Sequence, residues 1–216
     1  MRLSYGPTLF DLRHVVHANG TYDLPFGKGR ALLNHGGIVN AVVGGWTIGD
    51  IFTFQTGAPN VLLGGNNTFN DYADGGILLN GVTRSQLQNA VGVYHVGSAN
   101  GSYVDIINPT YLASPTGGGA NSNYITSNTT PGTIGQIIYL YGPHQIYNDM
   151  SLSKSIPITE RVHFTFQVEA LNVFNHPTFT WPSAPTSYTN IQNPSFGTGV
   201  LANGPRNIEL RANIEF

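Results

Sequence analysis

The side chains whose types and spacing could do chemistry are few: His14 and His17, the run Gly27-Lys28-Gly29, and the set Asp149, Ser151, His163 and Glu169. His14 and His17 stand three apart in a stretch that alternates like a strand, which puts them on opposite faces and rules out a chelating pair. The other histidines, His35, His95, His144, His163 and His176, show no metal-ligand spacing. Gly27-Lys28-Gly29 lacks the further glycines and the Lys-Ser/Thr of a phosphate-binding loop and reads as a turn. A serine triad can be drawn from Ser151, His163 and Asp149 or Glu169, but no nucleophile-elbow glycines surround Ser151 or Ser153. These residues read as a hydrogen-bonded polar lining. With no cysteine in the chain, thiolate metal sites, cysteine nucleophiles and disulfides are excluded. No catalytic residue, cofactor or metal is assigned, and the expectation is that the protein is not an enzyme.

The elements that would carry such a lining are strands. In the last stretch, Ile208, Leu210, Ala212, Ile214 and Phe216 share one parity, and Asn207, Glu209, Arg211, Asn213 and Glu215 share the other. Period two means one apolar and one polar face in a strand, whereas a helix would scatter the same residues. The pattern recurs near 11–22, 44–55, 146–155 and 161–174. In the last of these, Val162, Phe164, Phe166 and Val168 oppose His163, Thr165, Gln167 and Glu169. Asp50 breaks the rule by sitting on the apolar parity, and a bulge at Gly49 would turn it away.

Charged residues make up 9% of the chain against the usual quarter, and 27 glycines and 13 prolines point to a loop-rich β protein. The formal charge of −2 gives no footprint for nucleic acid, and no basic segment suggests an anionic membrane surface. No apolar run is long enough for a membrane helix, and no signal peptide follows Met1, which implies that residue 1 is not the natural beginning. Between the strands, 57–145 and 175–205 read as long irregular connections; Ile77-Leu78-Leu79, Val91-Gly92-Val93 and Ile137-Ile138-Tyr139-Leu140 read as brief strands or a lid.

Two architectures accommodate alternating strands: a soluble antiparallel sandwich and an outer-membrane barrel. Barrels alternate short inner turns with long outer loops. Counted back from Phe216, the connections 175–205 and 57–145 fall outside, and 156–160 and 25–43 inside. Only 25–43 is longer than that rule expects. Tyr22, Trp46, Phe174 and Phe216 lie near strand ends, as interfacial aromatics do.

Several blocks, in this order, resemble the carboxyl-terminal part of the barrel of Oar-like TonB-dependent outer-membrane transporters. They are Phe10-Asp11-Leu12-Arg13-His14, Tyr22 through Arg30, Gly44-Gly45-Trp46 through Pro59, Asn148 through Lys154, and Phe166 through Pro177, followed by the closing strand 206–216. Residues 60–145 match none of these blocks. The resemblance implies an all-β fold of about five antiparallel transmembrane strands, 1–216 being part of a large barrel in the bacterial outer membrane with long irregular extracellular loops. It implies uptake of an unidentified scarce solute through a plugged barrel. Val162, Phe164, Phe166, Val168, Ile208, Leu210 and Ile214 would face lipid, and His163, Gln167, Glu169, Glu209 and Arg211 the lumen. Phe216 would be the assembly signal. The implied partners are the rest of the barrel and its plug, the TonB complex, the barrel-assembly machinery and outer-membrane lipid. The competing expectation is a soluble secreted β-sandwich that binds glycans through Asn/Gly/Tyr-rich loops.

Overall fold

The computed structural model describes residues 6–34, 36–69, 73–98, 101–113 and 119–216. In chain order the elements are β1 (Val15–Asp23), α1 (Gly37–Val43), β2 (Trp46–Gln55), β3 (Pro59–Leu62), β4 (Ile77–Leu79), α2 (Arg84–Asn89), β5 (Val91–Ser98) and β6 (Gly101–Ile107). They continue with β7 (Ile125–Ser127), β8 (Ile138–Tyr141), β9 (Gln145–Pro157), β10 (His163–Leu171), β11 (Phe179–Thr180), β12 (Val200–Leu201) and β13 (Asn207–Glu215). The chain divides into two compact units. The sheet unit holds Val16–Phe54, Ile146–Thr178 and Asn203–Phe216; the inserted unit holds Met1–Val15, Gln55–Gln145 and Phe179–Ala202.

The sheet unit is one open five-stranded sheet in the order β1-β2-β9-β10-β13, with β1 and β13 at its edges. Phe166 lies opposite Lys154 on β9 and Ala212 on β13, and Glu169 opposite Ser151 and Glu209, in antiparallel ladders. On β1 and β2, Thr47 donates its hydroxyl to Asp23 Oδ1 at 2.8 Å, and His17 Nδ1 lies 3.0 Å from Thr53 Oγ1. These contacts put odd-numbered residues of both strands on one face. A Cβ on Gly49 would fall 2.6 Å from Ser151 Oγ, which joins that face to the odd face of β9. Across all five strands, then, odd positions share the polar face and even positions the apolar one.

Strand ends are set by local chemistry. The β9–β10 turn closes with Ile158 N–H on Val162 C=O at 2.9 Å, and Val162 N–H on Thr159 Oγ1 at 3.1 Å. Val162 therefore closes this turn and immediately precedes β10, which begins at His163 and not at 161. At the other end, Asn172 and Asn175 take left-handed backbone (φ 50°), which ends β10 at Leu171 and not at 174. Residues 11–14 likewise lie outside β1, where Tyr141 donates its hydroxyl to Asp11 at 2.6 Å and the Arg13 guanidinium stacks on the Tyr141 ring.

Within 57–145, read as a long irregular connection with brief strands or a lid, the structure has folded elements. The inserted unit has its own core, in which Leu62, Ile77, Leu87, Ile106, Leu140 and Phe196 are almost wholly buried and the Trp181 and Phe196 rings meet edge to face at 6.2 Å. The patches at 77–79 and 91–93 form β4 and part of β5, the patch at 137–140 falls in β8 except for Ile137, and the two-stranded pairs β3–β8, β4–β7, β5–β6 and β11–β12 build the unit. Apart from the β5–β6 hairpin its ladders are short, and side chains tie the loops between them. Asp74 accepts from the amides of Gly64, Gly65 and Gly76 at 2.7–2.8 Å. Buried Asn128 donates to Gly75 C=O at 3.1 Å and accepts from Thr130 N–H at 3.2 Å. Thr83 and Gln86 form a reciprocal capping box on α2, which directs Leu87 into the core.

Candidate functional site: the polar face of the sheet

The odd face brings together the polar residues singled out from the sequence. Gln167 stands opposite Arg211 and Ser153, Glu169 opposite Glu209 and Ser151, and His163 at the end of β10 opposite Glu215. At its centre is a recess of about 420 Å³ lined by Asn19, Thr21, Gly49, Asp149, Ser151 and Glu169, with Ile51. Gly49 makes this space, because any side chain there would meet the Ser151 hydroxyl. Asp149 is committed at its rim, accepting from Asn172 N–H at 2.8 Å.

The recess can bind, but its chemistry is that of a polar lining. Glu169 and Glu209 face each other as like charges, an arrangement that favours a cation or hydrogen-bond donors between them. His163 lies six residues along the strand from Glu169, about 20 Å away at ~3.3 Å per residue, so the two never meet. Among the described residues no group of three His, Cys, Asp or Glu side chains is arranged to hold a metal.

The even face carries Phe164, Phe166, Val168, Ile208, Leu210 and Ile214 together, with Phe216 just beyond β13 and 96% exposed. Three polar residues on this face were not anticipated as a set. Thr47 and Thr53 both point to the polar face, so alternation runs unbroken through Gly49; the proposed bulge is absent and Asp50 stays on the apolar side. Asn148, also on that side, donates to Asp50 Oδ1 at 2.8 Å and supplies the partner that the acid needs. Lys154, opposite Phe166, is buried and donates to the carbonyls of Gly44 at 2.6 Å and Val42 at 3.0 Å, with its ammonium 4.8 Å from the Trp46 ring centroid. A parity count would have flagged Asn148 and Lys154. Their partners could not be found from spacing.

A single antiparallel sheet with one mainly apolar face whose three polar residues are hydrogen-bonded, no buried apolar residue among those described on it, and a polar face opposite is the construction of a membrane β-sheet. The chain matches the family model for an outer membrane beta barrel domain over residues 1–209, and it belongs to that family. Its place is accordingly the bacterial outer membrane. No curated protein and no solved structure matches the chain.

Proposed function

We propose that this chain is barrel wall and outer loops of a TonB-dependent transporter of the Oar-like type, which takes up a scarce solute and does no covalent chemistry. The ordered series of sequence blocks shared with those transporters is the observation that carries the reading. The structure adds support in the two faces of the sheet. In this reading the even face, with Phe164, Phe166, Val168, Ile208, Leu210 and Ile214, meets lipid; the odd face, with His163, Gln167, Glu169, Glu209 and Arg211, lines the lumen.

In this reading the inserted unit, which follows β2 and β10 in the chain, is the outside, solute-selecting part. The five-residue turn 158–162 and the connection 24–45 lie at the periplasmic end. Strands pairing with the edges of β1 and β13 complete the wall, since open edges are untenable in hydrocarbon. The plug and the TonB complex supply energy coupling. A sandwich would need apolar burial beneath the sheet, which gives the alternative no support.

The test is uptake in cells. Radiolabelled candidate solutes are measured with the gene present or deleted, and with the proton-motive force intact or collapsed by an uncoupler. Gene-dependent uptake that vanishes with the uncoupler is expected. Gene-dependent uptake that persists after collapse would make the protein a passive channel.

A further inference from the structure

The connection between β1 and β2 is too long for a turn, and its helix is inside out. On α1, the polar Asn40 faces the protein: its Oδ1 accepts from Lys28 N–H at 2.6 Å, and a Cβ on Gly27 or Gly44 would fall 2.7 or 2.5 Å from it. The apolar Ile38, Val39 and Val42, spaced i, i+1, i+4, point away from the protein and are 85%, 47% and 63% exposed. Leu32 and Leu33 beside them are half exposed as well. In water this is the wrong way round.

The helix is nevertheless fastened. Val42 C=O accepts from both Trp46 Nε1–H and Lys154 Nζ at 3.0 Å, and Gly44 C=O from Lys154 at 2.6 Å. A cation on the last carbonyls also suits the negative end of a helix. Both clamping side chains come from the even face of the sheet. Beside the helix, Lys28, Arg30 and Lys154 line a recess of about 240 Å³. Arg30 is paired with Asp23 at 3.0 Å and Lys154 is held by the carbonyls, which leaves the exposed Lys28 as the cation of this recess not already paired among the described residues.

An exposed apolar helix face, fixed at the end of a membrane sheet beside a tryptophan and next to a cationic recess, matches a lipid interface in both its halves. We propose that the connection 24–45 is a membrane-interface foot. Ile38, Val39 and Val42 lie among the acyl chains of the leaflet at that end of the sheet, and a phospholipid phosphate is held by Lys28 at the recess. The inference rests on the assignment of the even face to lipid.

Because the chain has no cysteine, single nitroxide labels can be placed without background. The intact protein in phospholipid vesicles, labelled at Ile38→Cys, Val42→Cys or, as a sheet reference, Val168→Cys, is probed with oxygen, which concentrates in lipid, and with a water-soluble nickel chelate. Labels at 38 and 42 are expected about 5–10 Å below the phosphates, shallower than the label at 168. Lys28→Gln in the Ile38→Cys background is expected to raise the water-exposed fraction of the label roughly fivefold. Nickel-accessible labels at 38 and 42 with a deep label at 168 would overturn the foot and leave the sheet assignment standing. Labels at 38 and 42 shielded from both reagents would mean that protein covers the helix, which also overturns it. A nickel-accessible label at 168 would remove the sheet assignment itself, and unchanged exposure in Lys28→Gln would remove the phosphate contact.

Discussion

The two units of this chain bury opposite things. All fourteen buried hydrophobic residues among those described belong to the inserted unit, while the sheet unit leaves Ile208, Leu210 and Ile214 more than half exposed and buries a lysine, Lys154. One unit is folded as water requires, with apolar side chains inside and Asn, Asp and Thr tying its loops. The other leaves the apolar row of its even face exposed, the face that the proposed reading turns to hydrocarbon. The difference shows that long loops between membrane strands need not be slack, and that an exposed apolar row is not a defect when its solvent is lipid.

That contrast can be broken by mutation, and the two tryptophans, Trp181 in the inserted unit and Trp46 in the sheet unit, report on each side separately. The largest effect belongs to Phe196→Ala, which removes the ring against Trp181. It is expected to cost the inserted unit about 3–5 kcal/mol in urea unfolding followed by Trp181 fluorescence in a Trp46→Phe background. A loss below 1 kcal/mol would deny the unit its own core. Next comes Val168→Arg on the even face, expected to cost about 2–4 kcal/mol of membrane stability by denaturant titration in lipid, with the Trp181 signal unmoved. An equally tolerated arginine would place that face away from lipid.

Asp105 gives a smaller, pH-dependent effect within the inserted unit. It is fully buried, neither carboxylate oxygen has a hydrogen-bond partner among the described residues, and burial raises its pKa to about 6. The folded state thus holds a proton that the unfolded chain releases near pH 4, so stability from this group is full below that range and falls as pH rises through 6. Asp105→Asn should flatten this slope and stabilise the unit at pH 7 by up to about 3 kcal/mol, measured as urea midpoints at pH 5 and 7. A steeper loss toward pH 7 in the variant would contradict it. The smallest change in stability is expected from Phe216→Ser, within about 0.5 kcal/mol for so exposed a residue. Its outer-membrane insertion, scored by cell fractionation, should still fall if the aromatic is read during assembly; unchanged insertion would end that role.

The sheet was legible in the sequence because its signal is strictly local: Phe164 to Ala170 and Ile208 to Ile214 alternate in every residue, and pairing only confirms the parity. The inserted unit was not, since its strands run as short as two residues and its ties span great distances along the chain, such as Asn60 Nδ2–H on Trp181 C=O at 3.0 Å. The polar face was foreseen as a lining, yet its recess depends on what Gly49 lacks. Lys154 breaks the apolar parity of its strand, but only folding brings Val42 and Gly44 to it.

Connection length also sets an order of events in time. The β9–β10 hairpin closes over residues 158–162, a step that local chain statistics make fast, whereas β2 can reach β9 only across everything from 56 to 144. A chain entering the assembly pathway is therefore expected to carry β9 and β10 already zipped. β1 and β2 join as a later pair, after the inserted unit has collapsed and drawn its two ends together.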